Sequence, residues 1–137
     1  MVKILVVGAA GKMGRMIISS IENTEGIELS AATEIQGSPF LGEDAGELAG
    51  VSKKKIILNA DLKVGLEAAD VAIDFTTPGS TMETFRMASH LKKAIVIGTT
   101  GLSSEQRKEI HDSRGNIQCV FAPNMSVGIN LLTNLAG

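Results

Sequence analysis

The segment Gly8-Ala9-Ala10-Gly11-Lys12-Met13-Gly14 constrains this chain more than any other. It follows residues 3–7, a continuous apolar and largely β-branched run, and leads into a stretch with helical periodicity. Met13, Ile17, Ile18 and Ile21 share one face of that stretch, with Lys12, Arg15, Ser19 and Glu22 between them. A strand, a glycine turn and an amphipathic helix in direct succession form the front of a βαβ unit. An apolar strand without alternation needs cover on both faces, which points to a parallel sheet.

The same alternation continues downstream. Strands are predicted at residues 27–33, 56–58, 71–74, 94–97 and 117–121, six with the first. Helices are predicted at 62–69, from Thr77-Pro78 to about 91, from Ser103 to about 111, and over 127–135. Proline suits a first helical position, and Ser103 with Gln106 has capping-box spacing. Residues 36–50 read as a long glycine-rich loop, with Glu43, Asp44 and Glu47 as its solvated face. Met13, Met16, Met82 and Met87 read as helix packing, and Cys119 as core. The predicted fold class is α/β, a Rossmann-type doubly wound parallel sheet.

Composition removes several functions. The 137 residues are 44% hydrophobic and 20% charged, enough for a packed core. A net charge of -2, with no Trp, no Tyr and four Phe, argues against nucleic-acid binding. One cysteine and two separated histidines, His90 and His111, leave too few ligands for a metal cluster, and both histidines read as exposed helix residues. No apolar run approaches a membrane span, and residues 4–7 are too few for a secretory leader. The expectation is a cytoplasmic protein with no metal, no nucleic-acid partner and no membrane contact.

The glycine loop suggests a dinucleotide. Gly8 permits the turn out of the strand, Gly11 admits a diphosphate to backbone amides, and Gly14 allows the helix to pack close. Glu34 lies 20 positions past Gly14, where a carboxylate can accept from ribose hydroxyls and repel a 2′-phosphate. Ile35 beside it brings no positive charge, so NADH is preferred, with NADPH possible through Lys12 or Arg15. Three strand ends are small and polar: Asp74-Phe75-Thr76-Thr77-Pro78, Gly98-Thr99-Thr100-Gly101 and Ala122-Pro123-Asn124-Met125-Ser126. They are expected to line one crevice with the glycine loop. Turn chemistry alone also accounts for Thr99, Thr100 and Asn124 taken singly. Asp74 is read as orienting loops and is given no proton-transfer role.

The strings VVGAAGKMG, EIQGSPFLGEDAGELAG, DFTTP, VIGTTG and APNMSVGIN, in this order and spacing, resemble the N-terminal half of dihydrodipicolinate reductase over essentially the whole chain. The resemblance implies hydride transfer from NAD(P)H to a cyclic imine in the diaminopimelate–lysine pathway. It maps cofactor contacts onto Gly8, Ala9, Ala10, Gly11, Lys12, Met13, Glu34, Gly98, Thr99, Thr100, Ala122, Pro123, Asn124 and Met125. It places the GTTG and APN segments by the nicotinamide and its ribose. Family members often carry Arg where this chain has Lys12 and Ile35, and the second change removes a 2′-phosphate contact. The family's substrate-binding and oligomer-forming α+β domain, with its His-His pair and K-x-D-A-P-S-G-T segment, has no counterpart here. The implied division is a dinucleotide domain over 1–126 and the start of a connection over 127–137. No catalytic residue is expected in this chain, which is expected to bind cofactor without turning over substrate. The intact family form is implied to be a homo-oligomer. A standalone NAD(H) sensor, or the cofactor domain of another amino-acid dehydrogenase, are the alternative readings.

Overall fold

Side chains buried on both faces of the central strands dictate three layers. The computed structural model describes every residue except Arg114, Asn116 and Gly137, and gives no side-chain description for Met125, Leu131 and residues 133–136. In chain order the elements are β1 (Val2–Val7), α1 (Lys12–Glu22), β2 (Ile27–Thr33), α2 (Ala45–Leu48), α3 (Leu62–Glu67), β3 (Val71–Asp74), α4 (Pro78–Leu91), β4 (Ala94–Ile97), α5 (Ser104–Ser113), β5 (Cys119–Phe121) and α6 (Met125–Ala136). The strands form one parallel sheet in the order β2-β1-β3-β4-β5.

Alternate residues of each strand feed two cores. Ile4, Val6, Ile73 and Val96 pack with Ile17, Ile18 and Ile21 of α1 and Leu132 of α6. Leu5, Ala72, Ile95 and Ile97 pack with Leu66, Met82, Phe85 and Ile110 of α3, α4 and α5. Helices on both faces make the sheet doubly wound, as its apolar strands require. β1 leads outward to β2 on one side, while β3, β4 and β5 extend the other way. The order therefore reverses between β1 and β3, which is where a sheet of this kind opens a crevice.

Three expectations are corrected. Residues 56–58 do not join the sheet, which has five strands rather than six. Their hydrogen bonds are spent on the preceding loop: Ala45 N–H donates to Ile56 O at 2.8 Å, and Leu58 N–H to Glu43 O at 3.0 Å. Only isolated bridges touch this segment, Asp44 with Ile57 and Thr33 with Asn59. A short apolar run cannot by itself distinguish a strand from a buried tie. Met16 faces solvent, at 44% exposure, rather than packing. Asp44 is buried, not solvated, because it caps α2: its Oδ2 accepts from Glu47 N–H at 3.0 Å and Lys54 N–H at 3.1 Å.

That cap makes the loop acid-sensitive. Burial works to raise the Asp44 pKa, but the amides of Glu47, Lys54, Lys55 and Gly46 outweigh it and hold the carboxyl below its ordinary value. A depressed folded-state pKa gives stability that is complete above the unfolded value of about 3.9 and is lost as pH falls through the folded one. Urea midpoints at pH 6 and pH 3 should therefore drop further in the wild type than in Asp44→Asn. Equal drops would show that the cap contributes nothing to the acid limb.

Two sequence-level details hold closely. Ser103 and Gln106 form a reciprocal box, Ser103 N–H to Gln106 Oε1 at 2.8 Å and Gln106 N–H to Ser103 Oγ at 3.1 Å. His90 and His111 are both exposed. Cys119 is half-buried against the α3–α4–α5 core. Among the described residues no helix is long and apolar enough to cross a membrane.

Candidate functional site: two clefts on the carboxyl edge of the sheet

The glycine turn works through the hydrogen bonds it makes unavailable and those it leaves free. Gly8 N–H and Ala9 N–H both donate to Thr33 O, at 3.0 and 3.1 Å. Ala10 N–H donates to Glu34 Oε2 at 2.9 Å, and Gly11 N–H to Gly8 O at 3.1 Å. The first four amides of the loop are thus committed to the chain itself. The next three, on Lys12, Met13 and Gly14, open α1 and have no residue one turn earlier in the helix to accept them.

Side chains cap other helices: Asp44 on α2, Asp61 on α3, Ser103 on α5 and Asn124 on α6. The α1 cap is Gly11, which has no side chain to offer. Its backbone (φ -71°, ψ 166°) is one any residue adopts, and a Cβ there would meet only Gly8 O at 3.4 Å. The fold therefore has room for a side chain at this position, and the empty space belongs to the cleft. Gly14 differs: a Cβ there would collide with Gly8 O and the Ala9 backbone. Gly8 needs its glycine for a φ of +75°.

A cleft of about 640 Å³ opens at the reversal point between β1 and β3. Gly8, Gly11, Lys12, Met13 and Gly14 form one wall; Thr33, Glu34, Ile35 and Gln36 form the next; Phe75, Thr76, Thr77 and Ser80 close it. Glu34 sits at its edge, with Oε1 also accepting Ile35 N–H at 3.1 Å. Ile35 is 69% exposed at the mouth. Thr33 is buried, and its hydroxyl has no partner within the protein. Lys12 is exposed, whereas Arg15 is turned back, its Nε donating to Ala10 O at 2.8 Å and its guanidinium lying over Phe40.

A second cleft of about 480 Å³ lies farther along the same edge, past β4 and β5. Gly98, Thr99, Thr100 and Gly101 line it with Phe121, Ala122 and Pro123. The sequence-derived residues are therefore divided. Gly8, Gly11, Lys12, Met13 and Glu34 meet at the first cleft; Gly98, Thr99, Thr100, Ala122 and Pro123 meet at the second. Ala9 and Ala10 stand behind the first wall, buried. Asn124 lines neither; its Oδ1 accepts Val127 N–H at 3.0 Å as the cap of α6. The Met125 side chain lies outside the described residues.

The sequence reading passed over the partition between the clefts. Phe75 lines the first cleft, and its ring packs directly on Gly98 of the second. Behind them Asp74 is fully buried at the end of β3, with hydroxyls of Thr76, Thr81 and Thr99 gathered around Oδ1. The sequence signal was present: an apolar strand that ends in an acid with threonines on either side of a turn.

The site can hold an extended, doubly anionic ligand. Free amides and the positive end of the α1 dipole favour a diphosphate, and a carboxylate at the end of β2 suits a sugar diol. The space at Gly11 and the unpartnered Thr33 hydroxyl both fit a polar ligand in the first cleft.

Known proteins share this chain's pattern. The family profile described as dihydrodipicolinate reductase, N-terminus, matches residues 2–125. The 4-hydroxy-tetrahydrodipicolinate reductase of Alkalilimnicola ehrlichii is 46% identical over 134 residues, spanning 98% of this chain and 50% of the relative. That of Geotalea daltonii is 46% identical over 131 residues, 96% of this chain and 49% of the relative. In the solved structures, dipicolinate-bound dihydrodipicolinate reductase from Paenisporosarcina sp. TG-14 superposes with a TM-score of 0.72 at 26% identity, over 96% of this chain and 51% of that one. The chain spans about half the length of the curated relatives it matches.

Proposed function

This chain belongs to the family of dihydrodipicolinate reductase N-terminal domains, and from that premise we propose that it is the cofactor-binding half of a cytoplasmic 4-hydroxy-tetrahydrodipicolinate reductase that prefers NADH to NADPH. The observation that carries this reading is the α1 terminus: three unpaired amides behind a glycine cap, facing a cleft with an acid on its far side. When bound, a reduced nicotinamide dinucleotide supplies the hydride for reduction of a cyclic imine.

The amides of Lys12 and Met13 hold the diphosphate, and the Glu34 carboxylate accepts the adenosine ribose hydroxyls. The second cleft, with Gly98, Thr99, Thr100, Ala122 and Pro123, takes the nicotinamide end. Asn124 and Met125 follow that wall in sequence, and Ala9 and Ala10 shape the turn from behind. We place the substrate site and the oligomer interface in segments outside this chain, which spans about half the length of its curated relatives.

The NADH preference rests on charge. A 2′-phosphate on the adenosine ribose would meet the Glu34 carboxylate, while Ile35 offers it no counter-charge. Lys12 is the one cation lining the first cleft among the described residues. Titration with each reduced cofactor, followed by nicotinamide fluorescence, tests this directly, because a chain with no Trp and no Tyr has little background. Glu34→Ala should weaken NADH by roughly tenfold or more, the loss of a charged hydrogen-bond acceptor worth about 1.5–3 kcal/mol, with less effect on NADPH. Glu34→Gln keeps an acceptor for Ala10 N–H and should improve NADPH. Equal losses for both cofactors would remove Glu34 from the ribose.

A further inference from the structure

Asp74 is a fully buried carboxylate that the proposed binding scheme does not use; its Oδ2 has no partner within the described residues, and its bonds gather on Oδ1. Its Oδ1 accepts Thr76 N–H at 3.0 Å, the Thr76 hydroxyl, and the Thr81 hydroxyl at 3.0 Å. Thr81 sits on α4 and is fully buried; it borders neither cleft. Its Oγ1 lies 2.6 Å from Thr99 Oγ1, with one proton between them. Thr76 is in the wall of the first cleft and Thr99 in the wall of the second.

Counting protons fixes the direction of this chain of hydroxyls. Oδ1 already accepts an amide, so it is an acceptor. The Thr81 proton goes to Oδ1, which leaves the Thr81 oxygen to receive the Thr99 proton. The other inward contacts of the Thr99 hydroxyl, to Asp74 O and Oδ1, are long at 3.4 Å, so the 2.6 Å contact with Thr81 sets its orientation. With its proton on Thr81, Thr99 has none left for the cleft, and its oxygen meets a ligand as an acceptor only.

We propose that Asp74 is a positioning residue for the dinucleotide: through Thr81 it turns the Thr99 hydroxyl inward, so that Thr99 accepts a hydrogen bond from a neutral donor at the nicotinamide end, and through Thr76 it holds the first cleft in register with the second. This rests on the dinucleotide reading of the two clefts. The donor is either a hydroxyl of the nicotinamide ribose or the carboxamide N–H. Asp74 itself touches no ligand; its effect on affinity is carried by the two threonines.

Calorimetry of the chain with ADP, ADP-ribose and NADH tests the proposal. ADP reaches only the first cleft, ADP-ribose adds the second ribose, and NADH adds the carboxamide. Thr81→Val removes the relay hydroxyl at nearly constant volume, at a residue that lines neither cleft. It should weaken NADH about tenfold while ADP stays within twofold of wild type. Thr81→Ser, which keeps the hydroxyl, should behave as wild type toward all three. Asp74→Asn keeps an acceptor oxygen and should largely preserve NADH binding, whereas Asp74→Ala should lose it as Thr81→Val does. A loss already present for ADP-ribose assigns the ribose hydroxyl as donor, and a loss confined to NADH assigns the carboxamide. Unchanged NADH binding in Thr81→Val, or equal losses for ADP and NADH, would overturn the positioning role. A wild-type chain that binds none of the three would instead overturn the dinucleotide reading, and this inference with it.

Discussion

Gly14→Ala should cripple the fold, and Gly11→Ala should leave the fold intact while abolishing cofactor binding. The two glycines lie in the same turn and look equivalent in sequence, but their surroundings are opposite. A Cβ on Gly14 would strike the Gly8 carbonyl and the Ala9 backbone, neither of which is free to move, since Gly8 and Ala9 are both bonded to Thr33 O. The turn or the helix must shift, at a cost of about 3 kcal/mol or more, the upper end for overpacking. A Cβ on Gly11 would touch only Gly8 O, at ordinary contact distance. Alanine at a helix cap in place of glycine costs about 1 kcal/mol or less. Gly11 lines the first cleft, so the methyl group is expected to take space proposed for the diphosphate beside the amides of Lys12 and Met13. Losing two hydrogen bonds to a charged group predicts roughly a hundredfold or greater drop in affinity. Urea denaturation and NADH titration on both variants separate the effects. Gly11→Ala binding NADH like the wild type would place the diphosphate elsewhere.

Gly98→Ala should disturb the cleft that Gly98 does not line. Its Cβ would fall within the Phe75 ring, which forms part of the first cleft's wall. Gly128 of α6 also borders the ring: a Cβ built there would stand 3.6 Å from it. Because Phe75 lines the first cleft, that cleft offers the ring open space to move into. The expected cost is about 1–3 kcal/mol in stability, with weaker ADP binding although ADP reaches only that cleft. Phe75→Leu in the Gly98→Ala background should recover both, because a smaller side chain leaves room for the methyl. A double-mutant cycle should then show a coupling of about 1–2 kcal/mol, as residues in contact give. Strict additivity would mean that the two do not share this space. Here glycine is required by a protein side chain, not by close approach of a ligand.

Much of the site was legible in the chain because its signals are local. A strand that stops at Gly8, a glycine cap and a periodic helix are set by neighbouring residues, and the structure places them as those patterns require. The Ser103–Gln106 box is likewise complete within four positions. Asp44 was misplaced because an acid in a glycine-rich loop has the same local pattern whether it faces water or caps a buried turn. The segment at 56–58 failed for a related reason: apolar residues specify burial but not which backbone takes their hydrogen bonds. The single crevice expected along the sheet edge became two, because nothing in the sequence announces that the Phe75 ring stands on Gly98.

What the sequence determined by itself was the alternation of strand and helix, the glycine turn that opens the first helix, and the acid that ends the second strand. Which amides are free was decided by contacts between distant residues. Glu34, 24 positions away, accepts Ala10 N–H, and Thr33 O takes the two amides before it. Thr99 reaches Asp74 across 25 positions, through a helix that contributes Thr81. Side-chain periodicity fixes which face is buried. Hydrogen bonds are directional and saturable, so their partners are settled only once the sheet has brought distant strand ends side by side.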